Sequence, residues 1–466
     1  MRISSIKKTI VPLASALAVA AVVAGTVFTF AQGADASVSR AALPAGSIKN
    51  IVVIDLENSP FGKNFGTGSV ATYLNTTLAT QGEVIPNYFA TSHVSMGNYI
   101  SQVSGQSSTV DQNNDCLDLA GLSATPRVLN GSFTDITPAT AAADGQITGN
   151  GCVFPSSVKT IGDQLDAAQK KLNLASTWKL YAEDMGNNPT RDYGTVDPTG
   201  GTTCAHPPIN GVDNSNSASA TDQYATRHTG FLYFHSIIDN QKNCDAKVVS
   251  LGRVNPAKYG FADSFQGHLA TDFASIKTTP AFSFIAPNLC SDGHDATCIG
   301  TDAEGNAGGK GLSAADTWLK HWVPFMMSSP AYKAGQMLIV LTFDESDPYT
   351  DWKALPGQPA GPNQDGNPGY SKILGMFKAQ AAPTASGQYP GGGQVGALLL
   401  NSKYIKPGSV NETGQYNHYS ALRSYEDLLG LTAGGTDGLG HLGYAAQSGL
   451  VPFGTDVFNN YTPKKK

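Results

Sequence analysis

The sequence predicts an α/β fold with a mostly parallel central sheet and helices on both faces. Short apolar, β-branched segments recur along the chain without the polar alternation of a half-exposed strand. Such segments are typical of strands that are covered on both faces. Segments with helical periodicity lie between them, and an order of strand, helix, strand favours a parallel sheet.

Five segments are predicted to be strands, namely 48–56, 178–181, 281–285, 337–343 and 395–400. Helices are expected near 98–106, 158–171, 230–241, 313–328 and 418–429. Long loops, rich in Gly, Pro and small polar residues, are expected at 186–226, 299–312 and 346–394. Loops of this length often form binding surfaces or lids. No shift in composition marks a boundary, so residues 37–466 are expected to form one domain.

Residues 1–36 have the pattern of a signal peptide. Basic residues within 2–8 precede an apolar run over 10–30, and Ala34-Asp35-Ala36 fits the small-x-small rule for cleavage. The run is long enough to span a bilayer, so an uncleaved anchor stays open as the alternative. The small-residue site directly after the run favours cleavage. We therefore expect a secreted protein with no stable membrane span after cleavage.

Composition narrows the class of protein further. Apolar residues make up 41% of the 466 residues, enough for a packed core, whereas charged residues make up only 14%. The surface must then be covered largely by uncharged polar residues, which suits an exported protein. The formal net charge of −6 argues against a nucleic-acid partner, which would require a basic face.

Six cysteines follow the predicted leader, and no two of them form a Cys-x-x-Cys pair. This spacing argues against a zinc ribbon or a thioredoxin-type site. An even number in an exported chain predicts three disulfides. Among the possible connectivities we expect neighbours to pair, with free buried cysteines as the alternative. The expected pairs are Cys116–Cys152, Cys204–Cys244 and Cys290–Cys298.

Two predicted strands are followed by oxygen-bearing side chains. Glu57 and Asn58 come after the first strand, and Asp344 and Glu345 come after the strand at 337–343. Ligands of parallel sheets bind at the carboxyl ends of strands. Carboxylate and amide oxygens suit a divalent cation, and adjacent carboxylates beside a core need a counter-ion or a raised pKa. A capped turn at the first pair and a solvent-facing strand end at the second stay open.

A predicted helix begins near Ser95, within the segment 91–100. A serine at a helix N-terminus meets the positive end of the helix dipole and free N–H groups, which favour bound phosphate. A nearby cation would lower the pKa of the hydroxyl and make Ser95 a nucleophile. The simpler alternative is that Ser95 only caps the helix.

Three histidines are candidates for a site. His228 closes a polar loop, His294 lies between two aspartates where a core histidine is unexpected, and His418 opens a helix. The others are expected to be structural or exposed, with His235 buried in an apolar helix. These others are His93, His206, His268, His321 and His441.

Taken together, seven segments resemble the phosphoesterase family of bacterial acid phosphatases and phospholipases C, whose fold is similar to that of alkaline phosphatase. They follow the family's order over nearly the whole mature chain, which makes the resemblance specific although each segment alone is weak. The segments are 48–66, 93–105, 160–184, 226–240, 282–298, 318–344 and 417–444.

The resemblance implies a metal-assisted site with one divalent metal ion. Its ligands would be Glu57, Asn58, Asp344 and Glu345. Ser95 would be the nucleophile that forms a phosphoseryl intermediate, and Asn98 would hydrogen-bond a phosphoryl oxygen. Two histidines would bind the phosphoryl group or act on the leaving oxygen, namely His228 and His294, with His418 as a weaker candidate.

The chain departs from the family pattern at two positions. Gly97 replaces the proline that usually precedes the asparagine, which we expect to loosen the turn. Ser59-Pro60-Phe61 replaces an Arg-Ser-Phe run, so a basic group beside the metal is lost. The segment after Ser95 lacks the x-Pro-x-Arg of sulfatases, and Asp344-Glu345 lacks the Asp-His of two-metal enzymes, which favours a one-metal site.

The expected activity is that of an acid-phosphatase-like phosphomonoesterase acting on a small phosphorylated substrate. The first alternative is a phospholipase C-like phosphodiesterase acting on a phospholipid headgroup. Phospholipases C of this family often carry extra C-terminal domains, whereas this chain ends soon after His441, which favours the monoesterase. The second alternative is a catalytically inactive surface-binding protein on the same fold.

Overall fold

A ten-stranded mixed sheet forms the centre of the protein. The computed structural model describes residues 40–116, 133–197, 202–216, 218–252, 267–294, 298–300, 307–358 and 391–462. The strands are β1 (Asn50–Leu56), β2 (Glu83–Ile85), β3 (Tyr88–Phe89), β4 (Thr137–Ala141), β5 (Ile147–Asn150), β6 (Trp178–Ala182), β7 (Thr195–Val196), β8 (Thr202–Thr203), β9 (Val248–Ser250), β10 (Phe282–Ala286), β11 (Met337–Phe343), β12 (Ala397–Leu400), β13 (Ser409–Val410) and β14 (Tyr416–Asn417).

The helices of the described residues range from one turn to five. They are α1 (Phe61–Asn64), α2 (Ser95–Ser104), α3 (Ile161–Leu172), α4 (Pro189–Asp192), α5 (His235–Ile238), α6 (Gln241–Lys247), α7 (Gly267–Asp272), α8 (Gly311–Ser328), α9 (Pro330–Lys333) and α10 (His418–Leu429). Short 3₁₀ turns include Thr226–His228 and Gly230–Tyr233.

The sheet has the order β13-β2-β12-β11-β1-β10-β6-β9-β8-β7. Its five central strands, from β11 to β9, all run parallel. On one side β12 lies antiparallel to β11, and on the other β8 lies antiparallel to β9. The prediction of an α/β fold with a mostly parallel sheet is therefore confirmed, and the predicted strand at 395–400 is one of the antiparallel members.

Helices cover both faces of this sheet. Successive side chains of a strand point to opposite faces. Phe282 of β10 packs against Tyr425 of α10, with ring centroids 5.8 Å apart. The next residue, Ser283, is in register with Lys179 of β6, whose ammonium group donates to Asp272 of α7 at 2.7 Å. Helices α10 and α7 therefore lie on opposite faces.

The helix predicted at 230–241 is wrong in its extent. A 3₁₀ turn, a single α-helical turn and α6 replace it, because Phe234 adopts an extended conformation and the Asn240 side chain caps α6 by accepting from the N–H of Asn243. His235 is consequently not a core residue. Its ring nitrogens contact Asp135 and Asp239 at 2.8 and 2.7 Å, in a side chain that is 20% exposed.

Residues from Ser39 onward form one compact unit. The predicted leader at 1–36 lies outside the described residues, as does most of the loop at 346–394. Within the predicted loop at 186–226, the described residues form very short elements, namely α4, β7, β8 and a 3₁₀ turn at Asn214–Asn216. Among the described residues, none of the helices has the length and apolarity needed to cross a membrane.

The disulfides join the three predicted pairs, Cys116–Cys152, Cys204–Cys244 and Cys290–Cys298. Each closes a loop between neighbouring cysteines of the chain. The Cys116–Cys152 disulfide fixes Cys116, which directly follows Asp115, and the Cys290–Cys298 disulfide closes the loop that contains His294.

Candidate active site

Strands β1 and β11 bring the two predicted ligand pairs together. The strands are paired in parallel from Asn50 and Met337 to Leu56 and Phe343, so both end at the same level. Directly beyond these ends, the backbone N–H of Asn58 donates to Asp344 Oδ1 at 2.8 Å. The side chains that sequence analysis placed at two strand ends are thus neighbours in the fold.

Ser95 is the first residue of α2 and faces this pair. Its hydroxyl donates to Glu57 Oε2 at 2.8 Å and lies 3.4 Å from Asn58 Oδ1. The residue before it, Val94, has a φ of 72°, which is rare for a β-branched side chain. Strain of this kind is tolerated where the surrounding structure fixes the backbone, and it is concentrated at functional sites.

The second oxygen of Glu57 contacts two groups. The Tyr99 hydroxyl donates to Glu57 Oε1 at 2.6 Å, and His228 Nε2 lies 3.4 Å from the same oxygen. The Tyr99 and His228 rings are stacked with centroids 5.2 Å apart. Sequence analysis missed Tyr99, although its position four residues after Ser95 places both on one face of α2.

Buried negative charge accumulates here. Burial, followed by the charge of Asp292, raises the pKa of Glu57 well above its ordinary range. Burial, followed by the charges of Glu57 and Glu345, does the same for the pKa of Asp344. One carboxylate oxygen of Asp344, Oδ2, is buried and has no hydrogen-bond partner in the described part of the chain. A divalent cation would neutralise these carboxylates and occupy that oxygen.

The predicted metal ligands fit a cation by their chemistry, since all four offer oxygen atoms. In the part of the chain that the structure describes, no group of three or more His, Cys, Asp and Glu side chains is arranged to hold a metal ion as it stands. One oxygen of Glu345 already has other partners. Its Oε2 is contacted by His93 Nδ1 and accepts from the N–H of Val94 at 3.1 Å.

His93, for which the sequence predicted a structural or exposed position, is buried. Its Nε2 donates to the carbonyl of Asp351 at 2.8 Å, and its ring packs on Trp352 at a centroid distance of 4.3 Å. Because its other nitrogen contacts Glu345, His93 links a predicted metal ligand to the start of the loop at 346–394. No signal in the local sequence distinguishes it from the other histidines.

The three candidate histidines occupy different environments. His228 is buried, and neither ring nitrogen has a hydrogen-bond partner among the described residues. Burial, followed by the charge of Arg227, lowers its pKa well below the usual range. His294 is exposed at the cavity described below. His418 is buried beneath the site, where its Nε2 donates to the carbonyl of Asp344 at 2.9 Å.

A cavity of about 870 Å³ opens in front of Ser95. Its inner wall contains predicted site residues, namely Glu57, Asn58, Ser95, His294 and Glu345. Its outer wall includes Lys63, Val70, Leu312 and Tyr349. Sequence analysis missed two charged residues of the inner wall, Asp115 and Arg227. Arg227 brings a basic group to this wall from a segment outside the first motif.

With this geometry established, comparison with known proteins identifies the family. The profile of the phosphoesterase family matches residues 69–432. The chain belongs to the phosphoesterase family. The match begins after Glu57 and Asn58. The prediction that these two residues are metal ligands is therefore supported by their positions beside Ser95 and Asp344 and not by the profile.

Curated relatives of this phosphoesterase are fungal. It is 22% identical over 343 residues to an acid phosphatase of Aspergillus fumigatus, covering 72% of this chain and 55% of the relative. It is 23% identical over 352 residues to a phosphate-repressible acid phosphatase of Penicillium chrysogenum, covering 74% of this chain and 61% of the relative. The chain therefore spans little more than half the length of the curated relatives it matches.

Among solved structures, a protein in the alkaline phosphatase superfamily from Vibrio parahaemolyticus is similar to this chain with a TM-score of 0.40 and 11% identity. The similarity covers 84% of this chain and 69% of that protein. A superposition this loose does not indicate a shared function.

The phosphoesterase segment around Ser95 departs from expectation at Asn98. The structure does not bring this side chain to the cavity. Its Oδ1 accepts from the N–H groups of Thr91 and Ser92, both at 3.0 Å, and its Nδ2 donates to the carbonyl of Ser92 at 2.8 Å. Both ends of the buried amide are engaged by backbone, so Asn98 holds the loop before Ser95. Its contact to a phosphoryl oxygen stays a prediction.

Gly97 does not loosen the turn in the way the sequence suggested. A Cβ at this position would lie 2.0 Å from Ser108 Oγ and 2.8 Å from Ser92 Oγ. The glycine therefore permits close packing of two serine side chains against α2. The first turn of the helix is enclosed, although the residue itself is intrinsically flexible.

Proposed function

We propose that this chain is a secreted, metal-assisted phosphoric-ester hydrolase, specifically an acid-phosphatase-like phosphomonoesterase that acts through a phosphoserine intermediate. The observation that carries the proposal is the position of Ser95. Its hydroxyl opens on the cavity, at the first residue of α2, and donates to a buried carboxylate at 2.8 Å. Membership of the phosphoesterase family and the names of the fungal relatives support the same chemistry.

In the first step, Ser95 Oγ attacks phosphorus and forms a new O–P bond while the bond to the leaving alcohol breaks. The serine proton passes toward Glu57 Oε2, which already accepts it as a hydrogen bond. A water molecule then attacks phosphorus and breaks its bond to Ser95 Oγ, which releases inorganic phosphate. The proton held by Glu57 returns to the serine oxygen, and the proton of the water passes to His294, which gave its own proton to the leaving alcohol. Tyr99 holds the other oxygen of Glu57, so the carboxylate keeps its orientation toward the nucleophile.

The two histidines near the cavity, His228 and His294, have different proposed roles because they differ in solvent exposure. His294 is exposed at the cavity and is placed to give a proton to the leaving oxygen. His228 is buried, and its lowered pKa favours the neutral ring, which can accept a hydrogen bond or contact the phosphoryl group. These roles are distinct because only His294 is in contact with solvent.

Glu57, Asn58 and Asp344 would hold one divalent metal ion, with Glu345 joining them through the oxygen that His93 does not contact. When bound, the ion would neutralise charge on the phosphoryl oxygens and lower the pKa of the serine hydroxyl. The buried Oδ2 of Asp344, which has no hydrogen-bond partner among the described residues, supports a cation at this position.

The proposed substrate is a small phosphorylated molecule, and the proposed location is outside the cell. The cavity of about 870 Å³ admits small ligands. Three disulfides suit an oxidising compartment, and the leader pattern at 1–36 indicates export.

The proposal is tested by hydrolysis of p-nitrophenyl phosphate and bis-p-nitrophenyl phosphate by the purified mature chain, from acid to mildly alkaline pH. Ser95→Ala is expected to reduce monoester turnover by at least about 1000-fold. Chelation should abolish turnover, and a divalent ion should restore it. Ser104→Ala is the matched control, because this serine lies on the same helix and bonds the carbonyl of Ile100.

Each result decides between the alternatives. Full activity in Ser95→Ala would show that another group is the nucleophile. Turnover of the diester alone would support the phospholipase C-like alternative with the same site. If neither ester reacts with any divalent ion, the inactive surface-binding alternative takes the place of the proposal.

A further inference from the structure

Arg227 is a largely buried cation on the inner wall of the Ser95 cavity. It belongs to the 3₁₀ turn Thr226–His228, and its side chain is only 14% exposed. Its Nε lies 3.8 Å from Asp115 Oδ2, and its Nη1 is buried with no hydrogen-bond partner among the residues that the structure describes. Arg191, in the preceding polar loop, differs: its guanidinium bonds Asp222 at 2.5 Å, Asp192 at 3.1 Å and the carbonyl of Tyr224 at 2.7 Å.

Asp115 connects this arginine to the helix of the nucleophile. Its Oδ1 accepts from the N–H of Met96 at 2.9 Å, in the first turn of α2, while its Oδ2 faces Arg227. Cys116, the next residue, is fixed by the disulfide to Cys152. A helix N–H that could have bound a phosphoryl oxygen is therefore already taken by a carboxylate. The guanidinium of Arg227, beside the same carboxylate, brings a positive charge to this part of the cavity lining.

We propose that Arg227 binds the terminal phosphoryl oxygens and makes the site select phosphomonoesters over phosphodiesters. This inference rests on the proposed function and names the substrate class of the same site. The planar guanidinium can donate to two oxygens of one phosphoryl group at once. Asp115 is a positioning residue that holds the guanidinium beside the first turn of α2.

The selectivity follows from the charge of the two ester classes. A phosphomonoester has three terminal oxygens that share up to two negative charges, whereas a diester has two that share one. Replacing a terminal oxygen with an ester oxygen removes one charge-assisted acceptor and adds a bulky group beside a buried cation. Arg227 therefore stabilises the monoester more than the diester, in the ground state and during transfer.

The test compares kcat/KM for p-nitrophenyl phosphate and bis-p-nitrophenyl phosphate in Arg227→Ala, Arg227→Lys and Lys63→Ala. Arg227→Ala should lower the monoester value by about 100-fold or more and the diester value by less than about tenfold. Arg227→Lys should recover part of the monoester loss, because it keeps the charge without the fork. Lys63 is an exposed cation of the outer wall, so its removal should affect both esters equally.

A binding measurement keeps the inference testable apart from turnover. Calorimetry should show that the wild-type protein, supplied with Mg²⁺, binds phenylphosphonate more tightly than its monomethyl ester. Arg227→Ala should reduce that preference by about tenfold or more. Urea unfolding checks that each variant is folded, and Arg227→Lys replaces Arg227→Ala in all comparisons if the alanine variant is not.

Equal losses for the monoester and the diester, or an unchanged preference for phenylphosphonate, would overturn the role of Arg227 while leaving the proposed function intact. An inert wild-type protein that still prefers phenylphosphonate through Arg227 would refute the hydrolase and keep the anion site. An inert wild-type protein without that preference would refute both.

Discussion

At the scale of single residues, the site is organised around the two oxygens of Glu57. One accepts from Ser95, the proposed nucleophile, and the other from Tyr99, so the carboxylate has little freedom to turn. Asp344 is held in a comparable way by the N–H of Asn58. Side chains that contact substrate or a cation act well only when neighbouring groups fix their orientation.

Tyr99→Phe should therefore impair catalysis, although the Tyr99 side chain acts through Glu57 and not on the substrate itself. The variant keeps the ring stacked on His228 but removes the donor to Glu57 Oε1. We expect kcat to fall by about 10- to 100-fold, with weaker affinity for the divalent ion and little change in KM. Steady-state kinetics and titration of the metal measure this, with Tyr425→Phe as a control in the core. A change in KM alone would contradict the positioning role.

Gly97 offers a second test at this scale. Gly97→Ala would place a Cβ against Ser108 Oγ and Ser92 Oγ, and overpacking of this kind costs about 1–3 kcal/mol. Urea unfolding should show this loss in the single variant. Ser108→Ala in the same chain should recover part of it, because the closest atom is removed. Additive losses in the double variant would show that Ser108 is not the limiting contact.

At the scale of elements, the site depends on where chain segments end. Strands β1 and β11 end at the same level and present Glu57 and Asp344 side by side. Helix α2 begins at Ser95, after the strained Val94, and so directs its first residue at Glu57. The segment that carries Asp115 completes the inner wall, and its conformation depends on a disulfide.

Removal of the Cys116–Cys152 disulfide should lower activity as well as stability. Replacing both cysteines with alanine opens a loop with a sequence separation of 36, which costs about 4 kcal/mol in the loop-entropy account. The Cys204–Cys244 disulfide, with a separation of 40, should cost about as much. Only loss of the Cys116–Cys152 disulfide removes the covalent link next to Asp115. Under conditions where both variants are folded, only that variant should therefore lose its selectivity for the monoester.

This prediction is checked by urea unfolding together with kcat/KM for both esters, at denaturant-free conditions where each variant is folded. Equal selectivity in the two disulfide variants would show that Asp115 keeps its position without the covalent link.

At the scale of the whole molecule, the sheet extends beyond the site and holds titrating groups of its own. Glu83 of β2 is buried and accepts from Asn459 near the C-terminus at 2.8 Å. Burial, followed by the charge of Asp456, raises the pKa of Glu83 from its ordinary value of 4.5 to about 8. The folded state therefore binds this proton more tightly than the unfolded chain.

The sign of the pH effect follows from that shift. The stabilisation from protonated Glu83 is fully present below pH 4.5 and is lost as the pH rises toward about 8. Glu83→Gln should remove this contribution, so that the free energy of unfolding falls less over this range than in the wild type. Urea unfolding at several pH values measures it, with exposed Glu412→Gln as the control. Parallel curves for Glu83→Gln and wild type would refute the assignment.

Much of this fold could be predicted because its signals are local. The apolar runs that became β1, β6, β10 and β11 are continuous in sequence, and the neighbouring cysteines pair across short loops. Strands β7, β8 and β13 have two residues each, too few to show a period, and they were not predicted. The helix at 230–241 was misjudged because an extended residue, Phe234, interrupts an apolar run.

The sequence by itself determined the parallel strands, the oxygen-bearing residues at their ends, the helix that begins at Ser95 and the membership that seven ordered segments indicated. Only the tertiary structure decided that Asn98 bonds the backbone, that His93 contacts Glu345 and that Arg227 enters the cavity beside Asp115. The physical reason is that such contacts join segments far apart in the chain. Their strength, like the raised pKa of Glu57, depends on exclusion of water by the folded molecule.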